Sequence, residues 1–161
     1  SGTINGNLVN DGLVAPGDPQ TLHVNGDYEQ DSTGTLQLAI AGTAPGTFDS
    51  LDVTGNVTLM SGATLELDFI DGFAPTTGEK FDFLTFGGTS FTGSFDTVNI
   101  TGLQPGFQFS LQQDGAGQYE LLALNDGVSS SVPEPATLSL LGLTLAPLLT
   151  RRHRRNTPAR R

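Results

Sequence analysis

The sequence predicts an all-β protein built of right-handed β-solenoid or β-helix-like coils, with a β-sandwich as the alternative. Three observations carry this: dense turn dipeptides, short alternating runs between them, and an internal repeat. An aromatic β cap, a flexible linker and a short C-terminal hydrophobic helix complete the expected order.

The turns come first. Asn5-Gly6, Asp11-Gly12, Asn25-Gly26, Asp71-Gly72, Asp114-Gly115 and Asp126-Gly127 punctuate the chain up to residue 127. Asn and Asp tolerate the left-handed backbone region and glycine enters it at no steric cost, so such pairs mark tight turns. Between them lie runs such as Thr35-Leu36-Gln37-Leu38-Ala39-Ile40, Thr64-Leu65-Glu66-Leu67-Asp68-Phe69 and Phe81-Asp82-Phe83-Leu84-Thr85-Phe86. A period of two in such residues predicts strands with one buried face. No segment before Pro135 combines helical spacing with caps.

The repeat sets the architecture. Residues 21–40, TLHVNGDYEQDSTGTLQLAI, overlay residues 50–69, SLDVTGNVTLMSGATLELDF, at a shift of 29 without a gap. Leu22 falls on Leu51, Val24 on Val53, Gly26 on Gly55, Thr35 on Thr64, Leu36 on Leu65 and Leu38 on Leu67. A partial copy opens the chain, where Ile4-Asn5-Gly6 matches Val24-Asn25-Gly26. One coil cannot bury its apolar face alone, and stacking makes the core continuous. From Phe81 the repeat fades. Phe91, Phe95, Phe107, Phe109 and Tyr119 then predict an aromatic cap over the end of the core. The opening segment GTINGNLVNDGLVAPG resembles the Gly/Asn-rich coils of autotransporter-type passenger β-helices.

Composition narrows the function classes. Charged residues are only 15%, so Thr, Ser, Asn, Gln and Gly must carry the surface, as in secreted β proteins. All 17 acidic residues precede Pro135, and Lys80 is the one basic Lys or Arg among them; the six arginines fall in the last eleven positions. An acidic body repels phosphates, which argues against a nucleic-acid partner. With no cysteine there is no disulfide, thiolate metal site or cysteine nucleophile. The chain begins Ser1-Gly2-Thr3 and reads as a mature form or a piece of a longer chain, its export signal lying upstream.

The expected organisation is a repetitive β domain over 1–127, a linker over 128–135, a hydrophobic transmembrane-like helix over 136–150 and an Arg-rich cytoplasmic tail over 151–161. The linker ends in Val132-Pro133-Glu134-Pro135. The apolar run Ala136 to Leu149 would span about 21 Å as a helix, against roughly 30 Å of hydrocarbon. Snorkelling arginines and local thinning make up such a difference. Arg151, Arg152, Arg154 and Arg155 form a basic stop-transfer cluster that stays on the cytoplasmic side. A buried core helix is the bland reading of the run, but four arginines in five positions have no use at its end.

Pro-Glu-Pro, a short apolar segment and a terminal arginine cluster, in that order, resemble the PEP-CTERM sorting signal. Pro147 within the run and the extra residues Asn156 to Arg161 are departures from the usual form. The resemblance implies an exported protein of bacteria, often ones that make exopolysaccharide. It implies an exosortase-type membrane protease-transpeptidase as partner, transient anchoring in the inner membrane, and a destination in the outer envelope or outside the cell.

No catalytic residue, metal site or cofactor emerges from the body. Glu66 and Asp68 flank Leu67, so both point to the outer face of one strand. With Asp71 they make a speculative glycan or calcium cluster, set against the solvated face of an acidic strand. His23 faces out without a triad motif. No phosphate loop, HExxH or EF-hand spacing appears. Phe91, Phe95, Phe107 and Phe109 read as core. The expectation is a non-enzymatic surface or extracellular-matrix protein, structural or adhesive. The alternative is a polysaccharide-binding or polysaccharide-cleaving β-helix protein using Glu66, Asp68 and Asp71.

Overall fold

Alternation becomes strand wherever it was strict. β1 (Gly2–Asn5), β2 (Leu8–Asn10), β3 (Leu13–Val14), β4 (Thr21–Asn25), β5 (Tyr28–Gln30), β6 (Thr35–Ile40) and β7 (Ser50–Val53) come first. β8 (Val57–Leu59), β9 (Thr64–Phe69), β10 (Lys80–Phe86), β11 (Phe91–Thr92), β12 (Thr97–Thr101), β13 (Phe109–Gln113) and β14 (Gln118–Ala123) follow. The computed structural model describes residues 2–17, 19–114 and 117–130. Among the described residues every regular element is a strand. In β6 and β9 half-buried and buried positions alternate over all six residues, so Leu36, Leu38, Leu65 and Leu67 go fully inside.

Every third strand returns to the same sheet. One sheet runs β1-β4-β7-β10-β14-β13, the second β11-β8-β5-β2 and the third β12-β9-β6-β3. From β1 to β12 the neighbours pair in parallel. This differs from the antiparallel pairing of a jelly roll or sandwich.

The internal repeat is the pairing register. Leu22 stands beside Leu51 and Val24 beside Val53. Thr35, Leu36 and Leu38 stand beside Thr64, Leu65 and Leu67. The opening partial copy is also in register, with Ile4 beside Val24 and Asn5 beside Asn25. Fading at Phe81 is corrected: one more circuit follows, with Leu84 beside Leu51, Phe91 beside Val57 and Thr97 beside Thr64. The offset has grown to 33 or 34 residues. The extra length enters before Leu84, in the half of β10 that pairs with β14 alone.

At this end β13 and β14 form an antiparallel pair added to β10. Tyr119 stacks on Phe91 with centroids 4.8 Å apart and meets Phe83 edge-on at 5.8 Å. Phe95 is buried, while Phe91, Phe107 and Phe109 are partly buried against the same core.

Two ladders tie the circuits together. Asp27 N donates to Asn7 Oδ1 at 2.9 Å, Asn56 N to Asp27 Oδ1 at 2.8 Å and Ser90 N to Asn56 Oδ1 at 3.0 Å. Each side chain thus satisfies a turn amide one circuit on, where no strand partner serves it. Beside it runs a glycine stack. A Cβ on Gly26, Gly55 or Gly88 would come within 2.6 Å of the backbone oxygen of Gly6, Gly26 or Gly55 respectively.

One corner of the interior is polar. Asn10 Nδ2 donates to Thr35 O at 3.0 Å and to Tyr28 Oη at 3.3 Å, and Tyr28 Oη donates to Gln30 Oε1 at 2.8 Å. Gln30 Nε2 donates to Gly34 O at 2.8 Å and Thr64 O at 2.7 Å. Burial pushes the Tyr28 phenol up to about 12, so it stays a neutral donor. Among the described residues no buried side-chain nitrogen or oxygen lacks a partner.

The compact unit runs to Ser131. Val128, Ser129 and Ser130, expected to open the linker, are hydrogen-bonded or bridged to residues 102–104. The expected hydrophobic helix lies outside the described residues. Among the described residues no helix is long and apolar enough to cross a membrane.

Candidate functional site

The strand period decides which polar side chains reach solvent, and stacking decides which meet. On the third sheet Glu66 lies between Gln37 and Asn99, and Asp68 between Ala39 and Thr101. Thr101 Oγ1 donates to Asp68 Oδ1 at 2.5 Å. Asp71 sits past the strand end in the turn, at a φ of 55°. Among the described residues no three His, Cys, Asp or Glu side chains gather where they could hold a metal ion. Glu66 and Asp68 share the half-buried face of β9, and Asp71 follows in the turn after it.

His23 faces out and has a carboxylate partner. Its Nδ1 lies 3.0 Å from Asp52 Oδ2, and Thr85 Oγ1 donates to Asp52 Oδ1 at 2.8 Å. The three residues form one row across β4, β7 and β10. The carboxylate is in the middle, between imidazole and hydroxyl. A nucleophilic triad needs the imidazole there, to take the hydroxyl proton. Motif reading missed this pair, although the 29-residue shift already lays His23 on Asp52.

A cluster of shifted titratable groups was not read as a site from the sequence. Lys80 and Asp82 of β10 meet Glu120 of β14 and Gln112 of β13. Lys80 Nζ is 2.7 Å from Glu120 Oε1, and Gln112 Nε2 donates to the same oxygen at 2.5 Å. The Glu120 side chain is only 3% exposed. Its bond to Lys80, helped by those to Gln112 and Asp82, holds its carboxyl below the usual range against the effect of burial. Asp82 goes the other way, raised first by burial and then by the hydrogen bond to Glu120. Lys80 is raised chiefly by its bond to Glu120. A bulge between Phe81 and Leu84 brings this about, letting two carboxyl groups share one side of the β10–β14 pair. Through Lys80, Glu120 and Gln112 the arrangement clasps the terminal hairpin to β10.

A shallow polar groove of 330 Å³ runs along the second sheet, lined among others by Asn7, Asp27, Glu29, Asn56, Thr58 and Ser90. Asn7, Asp27 and Asn56 already spend a side-chain oxygen on the ladder.

Val132, Pro133, Glu134, Pro135 and the arginines 151, 152, 154 and 155 lie outside the described residues. Comparison with known families bears on them directly: residues 131–155 match the PEP-CTERM protein-sorting motif. The chain thus carries the signal of exported proteins that exosortase sorts at the membrane. No curated protein and no solved structure matches the chain.

Proposed function

We propose that this chain is a non-enzymatic structural or adhesive component of the bacterial envelope or extracellular matrix. Its tail holds it briefly in the inner membrane, an exosortase-type protease-transpeptidase processes it, and the body acts outside. The observation that carries this is the sorting motif at 131–155, beginning where the compact unit ends.

The body supports the reading in physical terms. Four circuits of parallel strands, with a pairing register equal to the sequence repeat, are what a right-handed β-solenoid would give, right-handed because parallel crossovers almost always are. A ladder of side chains and a glycine stack hold the circuits in register, and the outer faces are acidic and hydroxyl-rich. Such a surface suits a soluble filler or stalk among hydrated polymers. Glycan binding by the polar groove or by Glu66 and Asp68 is the second reading, favoured by the openness of those faces.

The deciding measurement is the C-terminal mass of protein recovered from the medium and envelope. The expected mature form ends near Pro135, and Glu134→Ala leaves the chain uncut in the inner membrane. An exported protein that still carries Arg161 overturns the sorting reading. Loss of glycan binding in Glu66→Gln, with the fold intact, would favour the second reading.

A further inference from the structure

The compact unit finishes in a strap held through its backbone. Gly127 N donates to Pro75 O at 2.7 Å, Gln104 N to Val128 O at 2.7 Å and Ser130 N to Gly102 O at 2.9 Å. Leu103 and Ser129 face each other in an antiparallel bridge. Side chains add little. Val128 is 56% exposed, and the two serines have no apolar surface to bury. Gly127 fits against Pro75 and Leu103, where a Cβ would meet Pro75 Cδ at 2.8 Å. A segment held by a few peripheral backbone bonds and no core side chain opens far more often than the core does.

The strap runs directly into the sorting motif at 131–155, and only Ser131 separates Ser130 from Val132-Pro133-Glu134-Pro135. From Ser130 to Glu134 the extended chain reaches about 14 Å at most. With the strap closed, a protease embedded in the membrane must take Glu134 within that reach of a folded body. Release of residues 128–130 lengthens the tether by about 10 Å.

We propose that the 127–130 strap is a releasable spacer that governs how fast the sorting tail is processed. Closed on Gly102, Leu103 and Gln104, it keeps the motif too near the folded stack for efficient capture. Peeled away, it frees the length the protease needs. This rests on the reading that an exosortase processes the tail.

The test uses the full chain in exosortase-bearing cells, with processing followed by pulse-chase and C-terminal mass spectrometry. Leu103→Cys combined with Ser129→Cys pins the strap by a disulfide across the bridge, where facing Cα atoms lie within disulfide range and the exterior is oxidising. A second version adds six Gly/Ser residues between Ser131 and Val132. The pinned chain is expected to be processed at least five-fold more slowly than wild type, and the pinned chain with the insert at the wild-type rate. A pinned, disulfide-bonded chain cut as fast as wild type overturns the strap and leaves the sorting reading standing. So does a pinned chain that stays slow with the insert. Wild type that is never cut overturns the sorting reading, and the strap proposal falls with it.

Discussion

His23 and Asp52 lie one circuit apart, 3.0 Å between nitrogen and oxygen, at the 29-residue spacing of the repeat. Both side chains are about half exposed, at 47% and 48%. Water therefore screens the pair, and exposed pairs contribute at most about 1 kcal/mol. A double-mutant cycle with alanine at both positions, read by urea unfolding, is expected to give a coupling below about 1 kcal/mol that shrinks in 1 M salt. Coupling of 2 kcal/mol or more would show that the row is desolvated.

The glycine stack is a tighter constraint. A methyl group on Gly55 would come 2.6 Å from Gly26 O, backbone against backbone. Gly55→Ala must push two circuits apart and is expected to cost about 1–3 kcal/mol. Gly12→Ala is the control: a Cβ there meets nothing within 4 Å, and the change is expected to stay within about 0.5 kcal/mol. Equal effects in chemical denaturation would remove the stacking argument.

Gln30 and Leu59 occupy the same place one circuit apart. An apolar side chain is thus tolerated at that place in the next circuit, yet Gln30→Leu is expected to destabilise by about 1–3 kcal/mol. The reason is what it leaves behind: Gly34 O and Thr64 O each lose the Gln30 amide as a donor, Gly34 O keeping Thr64 N, and Tyr28 Oη loses its acceptor. Calorimetry showing an unchanged or higher Tm would mean that water or repacking satisfies those groups.

The Lys80–Asp82–Glu120 cluster fixes the sign of a pH dependence. The Glu120 carboxyl is depressed, so its contribution is present above its unfolded pKa and is lost as pH falls through the lower, folded one. Asp82 is raised. Its contribution is present below its unfolded pKa and is lost as pH rises through the higher, folded one. At neutral pH Glu120 stabilises while ionised Asp82 opposes. Asp82→Asn, which offers Glu120 an amide donor in place of a carboxylate, is therefore expected to raise stability at pH 7 and to lose that advantage near pH 3. Glu120→Gln should do the reverse at pH 7, lowering stability. Denaturation midpoints of both variants at the two pH values check the assignment; parallel shifts would contradict it.

How much of this was legible depended on whether spacing stayed constant. Between residues 21–40 and 50–69 the shift is uniform, so overlaying the letters amounts to pairing the strands. The first circuit is shorter, with Leu8 on Tyr28 at 20 residues, and left only the Ile4-Asn5-Gly6 trace. The last is longer by the segment before Leu84, so Leu84 could not be matched to Leu51 by eye. Glu66 and Asp68 were placed correctly by alternation alone. Glu120 was not, because its partners come from a bulge and an antiparallel strand, neither of which a parallel repeat encodes. Alternation could not place Asp71, because a turn at φ 55° breaks the pattern that placed the other two.

The shortness of that spacing also says how such a body can lengthen. Each inter-circuit pairing closes a loop of only 20–34 residues, whichever circuits it joins. Closing one more such loop costs the same chain entropy as the last, because the cost follows loop size and not total length. Duplicating a 29-residue segment in the middle would thus add stability roughly in proportion to length, without making the chain harder to thread. At the far end the route is closed for the first sheet: β14 already occupies the edge of β10. Evolutionary growth by tandem duplication is therefore expected within the series of circuits, ahead of the terminal hairpin, leaving the strap and the export address unchanged.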